Sequence, residues 1–178
     1  MAHIGIPSFL TTILFERIFF MHESPLSGQT DGEVVKMYDS KSVLDGLISN
    51  VQMGQTGIRS VLDRAVRTDL RRDLHDQLAE YDTVETKAHS IAQARGWELK
   101  EVNPAIKAMS NMIARAKLTV GRPDSKIAAM MIQGNTRGMI LGLKDMHRCK
   151  NLDPEVESLS KKLLEIERSN IVQMQGYL

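Results

Sequence analysis

From residue 40 onward the apolar positions recur at helical spacing. Leu44, Leu47, Ile48, Val51, Ile58, Leu62, Ala65 and Val66 make one stripe of a helix over 41–66. Ser42 and Asp45 stand in capping-box spacing at its start, a hydroxyl and a carboxylate able to satisfy orphan backbone N–H groups. Thr68-Asp69 restarts the chain with a hydroxyl cap and a first-turn acid. A second stripe follows: Leu70, Leu74, Leu78, Tyr81, Val84, Ala88, Ile91 and Ala92, with Gly96 placed to end the helix as a left-handed cap. Asn103-Pro104 and Asp153-Pro154 share one logic, an Asn or Asp cap followed by Pro at the first helical position, where its missing N–H costs nothing. Pro123-Asp124 opens another helix. The pattern therefore predicts long helices over 41–66, 68–95, 123–149 and 153–176, with a shorter one from Asn103 to Val120.

Connection lengths carry the topology. The first two long helices are joined within about three residues and so form an antiparallel hairpin, and the last two are joined as tightly. Between the pairs lie residues 97–122, whose helix of roughly 17 residues would span about 25 Å, most of a bundle's length. Hairpin, long crossover, hairpin is the ferritin-like order of a four-helix bundle, with a plain up-down bundle carrying an extra helix as the alternative. The fold class is therefore all-α, a ferritin-like four-helix bundle with a long helical crossover between helices two and three.

The first residues do not share this pattern. Residues 4–20 (IGIPSFLTTILFERIFF) are apolar but broken by Glu16 and Arg17, short of the roughly 20 apolar residues a membrane span needs. Only His3 offers positive character before the run and no A-x-A site follows it, so it does not read as a signal peptide. Residues 22–33 are polar, rich in turn formers and linker-like. Residues 1–39 are thus an apolar and polar extension ahead of a bundle over 40–178. Two readings of the extension stand: Met21 or Met37 is the natural start, or the apolar segment is an arm that docks on the bundle or on a partner.

Composition sharpens the boundary. All four Phe lie in the first twenty residues, at 9, 15, 19 and 20, and only 4% of the chain is aromatic. The bundle core must come from aliphatic residues and Met, which disfavours an all-β fold. With 23 Lys+Arg against 22 Asp+Glu the net charge is +1, so no field recruits nucleic acid or an anionic membrane. The single Cys149 excludes an internal disulfide and a Cys-rich zinc module and makes a reduced, cytoplasmic compartment the default.

The stretch AVRTDLRRDLHDQLAEYDTVETKAHSIAQARGWELKEVNP (65–104) resembles the second helix of the spore coat protein F-like group of the ferritin-like superfamily. The shared features are a short polar turn, an Arg- and Leu-rich helix start, a mid-helix segment with acid and His, and the Arg95-Gly96-Trp97 ending. The closing helix pair is similar in layout, so the resemblance covers 41–178 in outline. It implies a four-helix fold and a spore or sporulation setting, without a known reaction.

A di-iron centre in such a bundle needs a Glu from each of two helices and Glu-x-x-His from each of the other two. Helices 41–66 and 123–149 contain no Glu. The inward polar positions at matching height are Gln55, Glu85, Gln133 and Glu167. Three residues after Glu85 comes Ala88, and three after Glu167 comes Asn170. Two carboxylates replace four, leaving much of the charge of two ferrous ions uncompensated. The preferred reading is a polar core layer of Gln55, Glu85, Gln133, Glu167 and Asn170 that fixes helix register, with no cofactor. The sharper alternative is a single iron or other divalent metal on Glu85, His89 and Glu167, which needs His89 to turn inward.

Gly134, Gly138 and Gly142 form a smooth strip on one helix face. Each costs about 1 kcal/mol against Ala, so close helix packing must compensate, with Gly54 and Gly57 as complements. Arg59, Arg64, Arg67, Arg71 and Arg72 interleave with Asp63, Asp69, Asp73 and Asp76, as in a solvated ion-pair face. Met109, Met112, Met130, Met131 and Met139 read as core filler, and Tyr81 and Trp97 as bundle-end residues with wet polar tips. No nucleophile elbow, dinucleotide fingerprint or P-loop occurs, and no residue is nominated as catalytic. The leading expectation is a non-catalytic bundle with a structural or assembly role that self-associates or binds another protein. A metal-binding or redox ferritin-like protein and a helical adaptor are the alternatives.

Overall fold

The chain divides into two units, Met1–Lys36 and Met37–Leu178. The computed structural model describes residues 38–100, 102 and 123–178, all within the second unit. The expectations for the N-terminal arm, the Met21 or Met37 start and the Asn103–Val120 helix, with Met109 and Met112, lie outside the described residues. No described helix is long and apolar enough to cross a membrane.

The described residues are helical, with four long helices: α1 (Ser40–Val61), α2 (Thr68–Ala94), α3 (Pro123–Arg148) and α4 (Pro154–Gln175). Helix α1 packs on α2 and on α3, and α4 packs on α2 and on α3. One aliphatic core lies between them, with Leu44, Ile48, Ile58, Leu70, Leu74, Ile91, Ile127 and Met174 fully buried. The predicted stripes supply nearly all of it. Leu62 and Leu78 are only partly buried, and Val66 leaves the core altogether: α1 stops at Val61, a 3-10 turn over Leu62–Arg64 follows, and Ala65 is extended, which leaves Val66 67% exposed.

Helix ends fix the directions. The Ser40 hydroxyl at the start of α1 accepts from the Asp153 N–H at 2.8 Å and donates to the Asn151 carbonyl. The start of α1 therefore meets the α3–α4 turn. Asp124 at the start of α3 accepts the Val66 and Arg67 backbone N–H groups at 2.8 and 3.1 Å, so α3 begins at the α1–α2 turn. Arg95 at the end of α2 clasps Asp153 at the start of α4 through two guanidinium bonds of 2.8 and 2.9 Å and reaches Glu155. That fork, more than its two capping bonds, holds the Asp153 carboxyl below the usual carboxylate range. Helices α2 and α3 consequently run the same way, and the segment joining them starts and finishes at opposite ends of the bundle. Where it leaves α2 it turns along α1: the Lys100 N–H donates to Asp45 and the Val102 N–H to Gln52.

Two of the expected caps differ. The α1 cap is Asp39, which accepts from the Ser42 N–H and hydroxyl, both at 2.8 Å. Asp45 lies a turn too far along to reach the end and instead pairs with Lys41 and the Lys100 N–H. Helix α2 has no hydroxyl cap: Arg67 occupies that position without a side-chain cap bond, and Asp124 from α3 supplies the acceptor. Replacing Asp124 by Ala is expected to cost about 1 kcal/mol in urea unfolding, because a partner in tertiary structure is lost along with a first-turn charge. The end of α2 follows the sequence. Gly96 has φ 65°, its N–H donates to Gln93, and the Trp97 N–H donates to Ala92 at 2.9 Å, a Schellman closure.

Candidate functional site

The predicted polar layer resolves into two separate groups. On the α1–α2 seam, Gln55 Nε2 donates to Glu85 at 2.7 Å and to Asp82 at 2.8 Å, and Gln52 Nε2 donates to the other Glu85 oxygen at 3.0 Å. Gln52 and Gln55 are buried and Glu85 is half-buried at the edge. Glu167, 1% exposed, belongs to a second group in the interior. Asn50 of α1 donates to its Oε1 at 2.9 Å, a partner that the sequence reading missed. Nearby, the Tyr81 hydroxyl donates to Asn135 at 2.8 Å, Asn135 donates to the Met131 carbonyl, and Asn170 is buried.

Gln133 is not in either group: it is exposed, and Asn135 takes the inward position on α3. The inward face of α3 runs Ile127, Met131, Asn135, Gly138, and Gln133 lies about 200° round from Met131. Matching heights along the axis without matching phase produced the error. The periodicity that marks Met131 would have found Asn135. Tyr81 also departs from expectation, since it is 2% exposed with its hydroxyl turned inward, not at a bundle end. Burial and the Glu167 charge both push its hydroxyl far above the ordinary tyrosine range. Converting Tyr81 to Phe should therefore cost about 1–2 kcal/mol, because Asn135 Oδ1 stays buried without its donor. Thermal unfolding checks this.

The metal trio does not assemble. His89 follows the buried Ala88 and is exposed, Glu85 is engaged with Gln52 and Gln55, and Glu167 is in the other group. Among the described residues no three His, Cys, Asp or Glu side chains come together to hold a metal ion. A di-metal centre needs several carboxylates at one point, and the amides Asn50, Asn135 and Asn170 do not match that donor chemistry.

The glycine strip is likewise divided. A Cβ at Gly138 would run into Glu167 Oε1 and come within 2.6 Å of Asn50, so this glycine makes room for the buried pair. At Gly142 a Cβ would touch Leu164 at 3.4 Å, an ordinary contact. At Gly134 and Gly57 it would meet nothing within 4 Å, whereas at Gly54 it would press on the Tyr81 ring. Only part of the strip therefore reflects close packing.

Several of the Arg and Asp residues near the first turn form ion pairs as expected, while Arg71 donates to the Ala65 carbonyl. Arg67 pairs with Asp69, Arg72 with Asp73 and Arg64 with Asp63, while Arg59 reaches Asp82. Tyr177 donates to Asp73 at 2.6 Å beneath Arg67, and burial together with that bond pushes its hydroxyl up to about 12. Met131 and Met174 are core residues, and Cys149 packs half-buried against the core.

A crevice of about 20 Å³ opens between α1, α3 and α4, lined by the polar Asn50, Asp145, Ser160 and Glu167 and by apolar residues such as Leu47 and Leu164. Its volume admits about one small guest. Burial in this low-dielectric setting pushes the Glu167 carboxyl up to about 8, against the pull of the Asn50 hydrogen bond. The chain matches no protein-family model, no curated protein and no solved structure.

Proposed function

We propose that the protein is a ferritin-like bundle that does not carry out di-iron chemistry and serves a structural or assembly role, in a spore-coat setting. The observation that carries this reading is amide chemistry where metal ligands would stand: Asn50 donates to the buried Glu167, Tyr81 donates to Asn135, and Asn170 is buried as well. The shared direction of α2 and α3, which a long crossover must connect, supports the ferritin-like connectivity. A surface for assembly is available on α3, where Ile140 is 50% and Leu143 41% exposed. A second copy of the chain is the proposed occupant.

Elemental analysis of untagged protein, paired with light scattering on the same sample, tests both halves. Less than stoichiometric iron, manganese and zinc is expected, together with a mass above that of one chain that falls on replacing Ile140 and Leu143 by Glu. Stoichiometric transition metal would move the protein to the metal-binding alternative. A monomer at all concentrations would remove self-association and favour a helical adaptor acting on another protein.

A further inference from the structure

Helix α3 is unevenly anchored. Ile127, Ala128, Met131, Asn135 and Gly138 hold its first half in the core, but from Met139 to Arg148 every residue is half-buried or exposed. The second half is tied near its far end, where Tyr38 donates to Asp145 and Met146 packs partly buried against the core. Gly138 and Gly142 weaken the helix where the two halves join. Glu167 of α4 sits at this junction. It is 1% exposed, its Oε1 accepts from Asn50 at 2.9 Å and stands where a Cβ on Gly138 would lie, and its Oε2 has no hydrogen-bond partner among the described residues. Beyond Gly138, Leu141, Gly142 and Asp145 form the α3 wall of the crevice that Glu167 lines from α4. A sparsely buried length of helix is the kind of segment that opens without the rest of its domain.

We propose that Met139–Arg148 opens as a local unit, that this opening takes Glu167 from a buried protonated carboxyl to a solvated carboxylate, and that rising pH therefore drives it. Each opening releases one proton from Glu167 to water. The groups that face Glu167 explain why the closed form keeps that proton. From α1 it meets the neutral Asn50, from α2 the Tyr81 hydroxyl lies within its electrostatic reach, and from α3 it meets Gly138, with Asp145 about 10 Å further along the helix. On α4 itself Asn170 is buried and uncharged, and Arg168 is exposed. None of these groups brings a positive charge to the buried carboxyl, and one hydrogen bond offsets little of the cost of burying an anion. Burial accordingly outweighs the Asn50 bond and pushes the closed-state carboxyl up to about 8, from an ordinary 4.5. Opening returns water to Glu167 and with it the ordinary value. The opening equilibrium then grows about tenfold per pH unit between these two values and levels off above the higher one. The unit carries Ile140 and Leu143, but its opening does not depend on the self-association proposed for them.

Amide hydrogen exchange of the full chain from about pH 5 to about pH 8.5 tests this, read as protection factors so that intrinsic base catalysis is divided out. Amides of Leu141–Arg148 should be less protected than those of α2 around the buried Leu74 and Ile91, and insensitive to low urea, as local opening requires. Their protection should fall about tenfold per pH unit up to about pH 8 and then flatten. In E167Q the protection of the same amides should not vary with pH, because Gln has no proton to release. E167Q keeps the α3 surface, so any shielding by self-association is common to both proteins. If E167Q does not fold, the wild-type pH and urea series carries the test unaided. Protection of Leu141–Arg148 that is constant with pH, that equals that of α2 throughout, or that keeps its slope in E167Q would overturn the proposal.

Discussion

Glu167→Gln is expected to stabilise the bundle at pH 8 and to leave it nearly unchanged at pH 5. The sign follows from linkage. The carboxyl titrates near 8 in the folded chain and near 4.5 when unfolded. Between those values the folded state holds a proton that the unfolded state releases, so stability falls as pH rises through this window. The full loss is on the order of 5 kcal/mol, reached above the folded-state transition. Gln keeps an acceptor for the Asn50 N–H and carries no charge, so its profile should be flat where the wild type declines. Urea titrations of both proteins across the window measure the difference directly. Parallel profiles would show that Glu167 is not the group whose burial sets the slope. At the acid end the trend reverses, because Asp39 and Asp153 are held low by their capping and Arg95 bonds and lose that contribution as pH falls past the ordinary Asp value of 3.8.

The second large effect separates two glycines one helical turn apart. Gly54→Ala should destabilise by about 1–3 kcal/mol, while Gly57→Ala should stabilise by up to about 1 kcal/mol. Both changes gain the same helix propensity. At Gly54 the new methyl would sit 2.8 Å from Tyr81 Cζ and 2.9 Å from Cε2. The ring has little room to yield, being 2% exposed and tied through its hydroxyl to Asn135. At Gly57 the methyl would meet nothing. Thermal melts of the two variants should shift in opposite directions. Tyr81→Leu should partly rescue Gly54→Ala, and a double-mutant cycle would assign the coupling to this contact. Equal shifts for both glycines would mean that backbone entropy alone governs them.

The failures of the sequence reading share a cause with its successes. Apolar spacing reflects one helix at a time, and each helix buries its stripe against something whatever its neighbours are. The stripes Leu44–Ile58 and Leu70–Ala92 are therefore buried as read, apart from the half-buried Leu78. Local chain chemistry is equally legible. Asp153 caps ahead of Pro154, and Gly96 adopts the left-handed conformation that residues with a side chain rarely take. The misplaced caps of α1 and α2 are local too, but several acids within a turn compete for them, and geometry between elements chooses Asp39 and Asp124.

Polar residues inside the bundle belong to a different category. A stripe is satisfied by any apolar surface, whereas a buried Asn, Glu or Tyr needs a particular partner on another helix. Glu167 could be assigned to the interior from its helix, but its pairing with Asn50 spans 117 residues. The junction of Tyr81 with Asn135 spans 54. Neither can be found by spacing within one helix, and matching heights between helices without knowing their rotation put Gln133 where Asn135 belongs. The helical character of the described residues, the core stripes and the proline-marked starts of α3 and α4 were thus properties of the chain itself. Which carboxylate is isolated, which glycine is crowded and where a crevice opens were decided when the helices docked, because each depends on the relative rotation and depth of two or more of them.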